Sequence, residues 1–183
     1  MKSVFLAGIG VLVSAAAAWA CPAPTAAGLG QFEADAQILR RGISFEVTGG
    51  GATNLAGCPT AQPAGGGASG FFLTPPHMTL SLDAVVRRTV FVGTRTQSGC
   101  DPVILVQSPG GTWFWNDDDR FRDAQVAFQV DVDGAMNIWV GSADGAPCDT
   151  RVFVRIIERD NDSNLPGAPG SPDDDDGDGG GFT

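Results

Sequence analysis

The sequence predicts an all-β chain, an antiparallel β-sandwich or jelly roll of about eight strands. Three observations carry this. Between Cys21 and Arg159 apolar residues alternate with polar ones at period two, and no convincing stretch repeats at the helical period. Turn residues punctuate these runs at close spacing. The third is length: about 140 residues suit one domain around one core.

Each element follows in order. Gln31 to Arg41 makes at most a short helix or an edge strand. Ile43, Phe45 and Val47 then share a face, with Ser44 and Glu46 opposite. From Gly49 to Gly70 a Gly, Pro and Ala rich stretch lacks periodicity and reads as a long surface loop carrying Cys58. Leu80 and Leu82 alternate with Thr79, Ser81 and Asp83, and Val90 and Val92 form the next strand. Val103 to Val106 is apolar throughout and reads as a buried strand. Ser108-Pro109-Gly110-Gly111 turns it tightly into Thr112 to Asn116, where Trp113 and Trp115 share a face and Phe114 takes the other. Val126, Phe128, Val130 and Val132 face away from Gln129 and Asp131. Asp133-Gly134 is the strongest short hairpin signal, pairing this run with Met136, Ile138 and Val140. Arg151 to Ile157 closes a meander. Residues 160–183, rich in Gly, Pro and Asp, hold too little apolar content to fold and read as a disordered acidic tail.

The compartment is read from the N-terminus. Lys2 precedes an apolar run of about 15 residues that ends in Ala18-Trp19-Ala20, the grammar of a signal peptide over residues 1–20. That run is shorter than the roughly 20 residues of a membrane-spanning helix, so no membrane span is expected. Cleavage after Ala20 makes Cys21 the first mature residue. Lipoprotein anchoring there is the lesser reading, because Ala18 and bulky Trp19 depart from the lipidation pattern. A periplasmic or extracellular product is expected.

Four cysteines remain, Cys21, Cys58, Cys100 and Cys148, an even number in an oxidising compartment, which implies two disulfides. Zinc needs closely spaced ligands, and these cysteines lie roughly 40 residues apart in a chain with one histidine. If the connections are simple reversals, Cys100 and Cys148 start strands of the same direction at the same end of the sandwich. They can then pair, leaving Cys21 with Cys58; Cys58 with Cys100 also fits, and all three pairings stay open. The net charge of −10 includes seven acids and no base beyond Arg159; Cys21 to Arg159 carries 10 arginines against 14 acids, or −4. Such a surface repels a phosphate backbone, which excludes nucleic acid as a partner.

Asp101-Pro102-Val103-Ile104-Leu105-Val106, Ser108-Pro109-Gly110-Gly111-Thr112-Trp113, Asn116-Asp117-Asp118-Asp119 and Met136-Asn137-Ile138-Trp139-Val140-Gly141 together resemble the core pattern of bacterial pre-peptidase C-terminal domains. The resemblance covers about a third of the chain, which departs from the family in having no tyrosine and four additional cysteines. It implies a secreted β-sandwich accessory module of the kind carried by peptidases, with acidic loop residues that bind calcium. Calcium is therefore the one expected cofactor, with Asp117, Asp118, Asp119 and Asp133 as candidate ligands supplying the hard oxygens it prefers; Asp123 and Asp131 lie near in sequence. The competing reading is that these carboxylates solvate a turn.

No catalytic residue is identified, and the chain is read as no enzyme. A serine peptidase needs a nucleophile, a histidine base and an orienting carboxylate. The sole histidine, His77 in Thr74-Pro75-Pro76-His77, reads as an exposed loop residue, and no Gly-Asp-Ser-Gly-like turn follows it. Trp113, Trp115 and Trp139 are candidates for stacking on a sugar or a partner, with packing as the favoured role. Two functions remain. The first is a secreted non-catalytic module that binds a protein or carbohydrate ligand; the alternative is a structural, envelope-associated protein with no small-molecule site.

Overall fold

The computed structural model describes residues 21–96, 99–118 and 123–157. The expected signal peptide at 1–20, the tail at 160–183 and Asp119 lie outside the described residues. Among the described residues each alternating run named above holds a strand, although that of Val126 and Phe128 ends at Gln129 before Val130 and Val132, and two sheets face each other as a sandwich.

Gly30–Asp35 forms β1, and Asp35 then starts the helix α1, Ala36–Arg41, by accepting a 2.7 Å hydrogen bond from the Ile38 N–H. Gly42, at φ +76°, ends the helix where a side chain would be strained. The segment is thus both a short helix and an edge strand. β2 is Ile43–Gly49, β3 Thr53–Asn54, β4 Phe71–Phe72, β5 Met78–Asp83 and β6 Thr89–Thr96. β7 is Pro102–Gln107, β8 Trp113–Asn116, β9 Gln125–Gln129, β10 Gly134–Ser142 and β11 Cys148–Ile157.

One sheet runs β1-β5-β10-β7-β8, with β4 and β3 continuing beside β10 beyond the end of β5; the other is β2-β11-β6-β9. β1 lies parallel to β5, a pairing that the antiparallel expectation did not include, because the chain crosses from β1 through α1 into the other sheet instead of turning back. Ile104, Val106, Met136, Ile138, Val152 and Val154 fill the layer between the sheets.

Two expectations are corrected. Asp133-Gly134 does not close a hairpin: β9 pairs with β6 and β10 with β5 and β7, so the turn arches between the sheets. The Asp133 carboxylate explains the arch, since it accepts from the backbone N–H groups of Ala84 and Val85 and ties the turn to the loop after β5. By contrast, Ser108–Gly111 does join two paired strands, β7 and β8.

The Gly, Pro and Ala rich stretch is more than surface loop. It lies on the outer face of the larger sheet, where Leu55, Cys58, Ala61 and Ala68 bury themselves against Phe72, Val103, Leu105 and Trp139. β7 is apolar from Pro102 to Val106 because both its faces are covered there. The Trp115 indole N–H donates to Ser69 O at 2.9 Å, and that of Trp139 to Thr74 O at 3.1 Å. Gly141 lets this layer close, since a Cβ there would stand 2.6 Å from Phe71 O. Cys21 is bonded to Cys58, tying the start of the described chain to the loop, and Cys100 to Cys148, tying the start of β7 to the start of β11.

Candidate functional site

The predicted ligands do not form one group. β7 and β8 pair with Ile104 opposite Asn116, so the residues just before β7 face those just after β8. That register brings Asp101, Asp117 and Asp118 together, with one carboxylate oxygen from each lying within 4.8 Å of the others. Burial, then the charges of Asp118 and Asp101, pushes the Asp117 carboxyl above the usual carboxylate range. Asp133 lies at the far end of β7, beside Pro109, committed to the β5 loop. Asp123 is likewise committed, accepting from the N–H and Oγ1 of Thr96. Asp101 was not among the predicted ligands. The signal for it was the tight Ser108–Gly111 turn, which fixes the register that places it there.

His77 is buried, 6 % exposed, and not the exposed loop residue expected. Its Nδ1 accepts from the Val140 N–H at 3.1 Å, and its Nε2–H donates to Thr48 O at 3.2 Å. A carbonyl can only accept and an amide N–H only donate, so the proton sits on Nε2. The ring therefore links β10 in one sheet to β2 in the other. Burial holds its pKa below the ordinary histidine value, partly opposed by the Thr48 hydrogen bond.

The tryptophans pack. Trp139 is fully buried, and Trp113 lies against it with ring centroids 5.2 Å apart. Trp113 and Trp115 are half-buried at the edge of the layer under the loop. Phe114, on the opposite face, stacks on Phe128 of β9 at 4.4 Å.

That stacked pair closes one flank of the sandwich, where Asn116 Oδ1 also accepts from the Gln125 N–H at 3.3 Å. The other flank, bounded by β1 and β2, is open. Phe32 of β1 meets Phe45 of β2 at 4.8 Å, the same device as on the closed side, yet Phe32 is 44 % and Leu29 67 % exposed. Between the strands runs a groove of about 390 Å³ lined chiefly by Leu29, Phe32, Phe45, Val47, Leu73 and Met78, with His77 among its lining residues.

No protein-family model and no curated protein matches this chain. Among solved structures, it is similar to a periplasmic lysozyme inhibitor of g-type lysozyme, PliG of Aeromonas hydrophila. The identity is 14%, over 70% of this chain and 99% of that one, with a TM-score of 0.41. It is also similar to the pre-peptidase C-terminal domain of a collagenase from Bacillus anthracis, at 6% identity over 69% of this chain and 94% of that one, with a TM-score of 0.39. The second is a domain of the family that residues 100–157 are read above as resembling.

Proposed function

We propose that this chain is an exported, non-catalytic module that binds a partner protein at its open β1/β2 flank. The observation that carries the reading is the apolar groove there: Phe32 of its aromatic pair is exposed against a half-buried Phe45, whereas on the closed flank Phe128 is buried beneath a half-buried Phe114. Contiguous apolar surface of this kind marks interaction sites. A protein is favoured over a carbohydrate ligand because Trp139 is fully buried and the Trp115 indole N–H is bonded to Ser69 O. The non-catalytic reading is supported by His77, both of whose ring nitrogens bond to backbone. Two disulfides favour an oxidising compartment, periplasmic or extracellular. Among the described residues no helix is long and apolar enough to cross a membrane.

A photo-crosslinking residue at position 29, in the protein produced in its own host, tests the reading against the same residue at position 127, exposed on β9. A discrete adduct at 29 and none at 127 is expected. No adduct, or the same pattern at both, overturns the reading in favour of a structural, envelope-associated protein.

A second reading, calcium binding, is favoured by the Asp101, Asp117 and Asp118 group. Calcium takes about six to eight oxygens, so waters and backbone carbonyls would complete its shell. It would also relieve the repulsion from Asp118 and Asp101 that adds to burial in raising the Asp117 pKa. Calorimetric titration of the mature protein should show binding near the millimolar affinity of extracellular modules, lost in Asp117→Asn. No heat and no rise in melting temperature at millimolar calcium removes this reading.

A further inference from the structure

The open flank offers backbone as well as apolar surface. The Gly30 N–H donates to His77 O at 3.0 Å within the parallel pairing of β1 with β5. In a parallel ladder alternate residues bond a given neighbour. Gly30, Phe32 and Ala34 therefore turn their backbone groups to β5, while Gln31 and Glu33 turn theirs to the open side. The side chains of Phe32 and Ala34, on the face that Gly30 shares, turn toward the sandwich, and Phe32 forms one wall of the groove. A strand laid along β1 would thus meet outward-facing N–H and C=O groups, and its inward side chains would enter the space beside Phe32 and Phe45.

Edge strands are commonly blunted by lysine, proline, a bulge or a covering segment. β1, reading Gly-Gln-Phe-Glu-Ala-Asp, has neither lysine nor proline and pairs with β5 in unbroken register. The charged residues that line it are all acidic. Glu33, Asp35, Glu46, Asp83 and Asp149 line the groove and the hollows beside it, with no arginine among the described lining residues. Arg151 stands near and engages Glu46. A second copy would bring the same carboxylates against these, as would the acidic residues of 160–183, so neither fits as well as a cationic partner.

We infer that β1 is a strand-addition site that captures an extended segment of a partner protein, apolar at alternate positions and basic between them. This rests on the partner-protein reading given above. Backbone pairing supplies the affinity, the groove selects the alternate side chains, and the carboxylates select the charge.

The six residues of β1 span about 20 Å, so a capped peptide of about eight residues alternating lysine and valine is a suitable probe. Its controls are the glutamate and valine counterpart, and the lysine and valine peptide N-methylated at alternate residues. The full mature protein is titrated by calorimetry, and amide exchange is followed at Gln31 and Glu33. The lysine peptide should bind saturably, more weakly as salt is raised, and slow exchange at both amides. Glu33→Lys should weaken it about tenfold or more, while Gln129→Lys on β9 leaves it unchanged. The acidic and N-methylated peptides should not bind. Absence of binding, equal binding of any control peptide, or protection at Gln31 and Glu33 that rises with protein concentration without peptide each overturns the inference; the last assigns the edge to a second copy. A position-29 adduct that the lysine peptide fails to displace leaves the partner reading intact and overturns strand addition alone. Absence of the adduct without any peptide overturns the partner reading.

Discussion

His77 is the side chain whose chemistry depends most on the fold. Its folded pKa lies below the ordinary 6.5 because burial disfavours the cation, and protonating Nδ1 would set an N–H against the Val140 N–H. The stability it contributes is therefore complete above about pH 6.5. It is lost as pH falls from there toward the lowered folded value, because the unfolded chain takes up the proton first. Chemical denaturation between pH 7.5 and 5 should show stability falling by up to about 1.4 kcal/mol per pH unit from this one group. His77→Ala should cost about 2–3 kcal/mol at pH 7.5 by stripping two backbone groups of their partner, and should flatten that slope. An equal slope in the variant would show that other groups carry it. Asp117 has the opposite sign: its raised pKa means that the fold disfavours the charged carboxylate. Asp117→Asn should raise the melting temperature by about 1–3 °C at pH 7, and the gain should vanish near pH 3, where the wild-type carboxyl is protonated. The burial of His77 was not legible from Thr-Pro-Pro-His, because prolines signal a loop and give no sign that the loop is clamped between two sheets.

Among the elements, strands were legible and their partners were not. Ile43 to Val47 and Met136 to Val140 announce themselves by side-chain period and Val103 to Val106 by an unbroken apolar run, each a property of one strand alone. Which sheet a strand joins is set by contacts across the molecule. Asp133-Gly134 therefore read as a hairpin, when the reach of the Asp133 carboxylate to Ala84 and Val85 makes it an arch. The loop at 50–70 was obscured for a related reason: its alanines carry no periodicity, yet Ala61 and Ala68 are small enough to pack beneath Trp139 and Phe72. The two disulfides should accordingly behave differently. Cys100–Cys148 joins strands of opposite sheets, and replacing both residues by serine should cost about 3–4 kcal/mol, seen as a fall of several degrees in the melting temperature. Replacing Cys21 and Cys58 should instead speed amide exchange mainly across 53–70, leaving β6 and β11 protected. Uniform loss of protection in the second variant would mean that the outer layer and the sandwich unfold as one unit.

At the scale of the whole molecule, the sandwich is asymmetric. One flank is closed by β8, β9 and the Phe114–Phe128 stack, and the other presents the outer edge of β1, an apolar groove and carboxylates. Composition foretold the acidic surface, and the alternation of Ile43, Phe45 and Val47 gave the inward face of β2. The groove itself was hidden because it depends on β1, whose Gly-Gln-Phe-Glu-Ala-Asp is a weak strand signal stabilised by the parallel partner β5. Cooperativity should also be a property of the whole. A chain ending at Pro147 lacks β11 and should lose cooperative unfolding, with near-random far-ultraviolet circular dichroism; retention of a sharp thermal transition would show that the larger sheet stands alone.

β11 pairs with β2 on one side and β6 on the other, with Val154 opposite both Ile43 and Val92. It is the C-terminal strand of the described fold and one of the two central strands of its sheet. A chain that leaves the ribosome, or threads through a translocation pore, with its N-terminus leading thus presents β2 and β6 long before the strand that joins them exists. Until Ile157 has emerged β2 lacks its strand partner and the smaller sheet is reduced to β6 and β9, so the sandwich can be completed only when its last strand arrives.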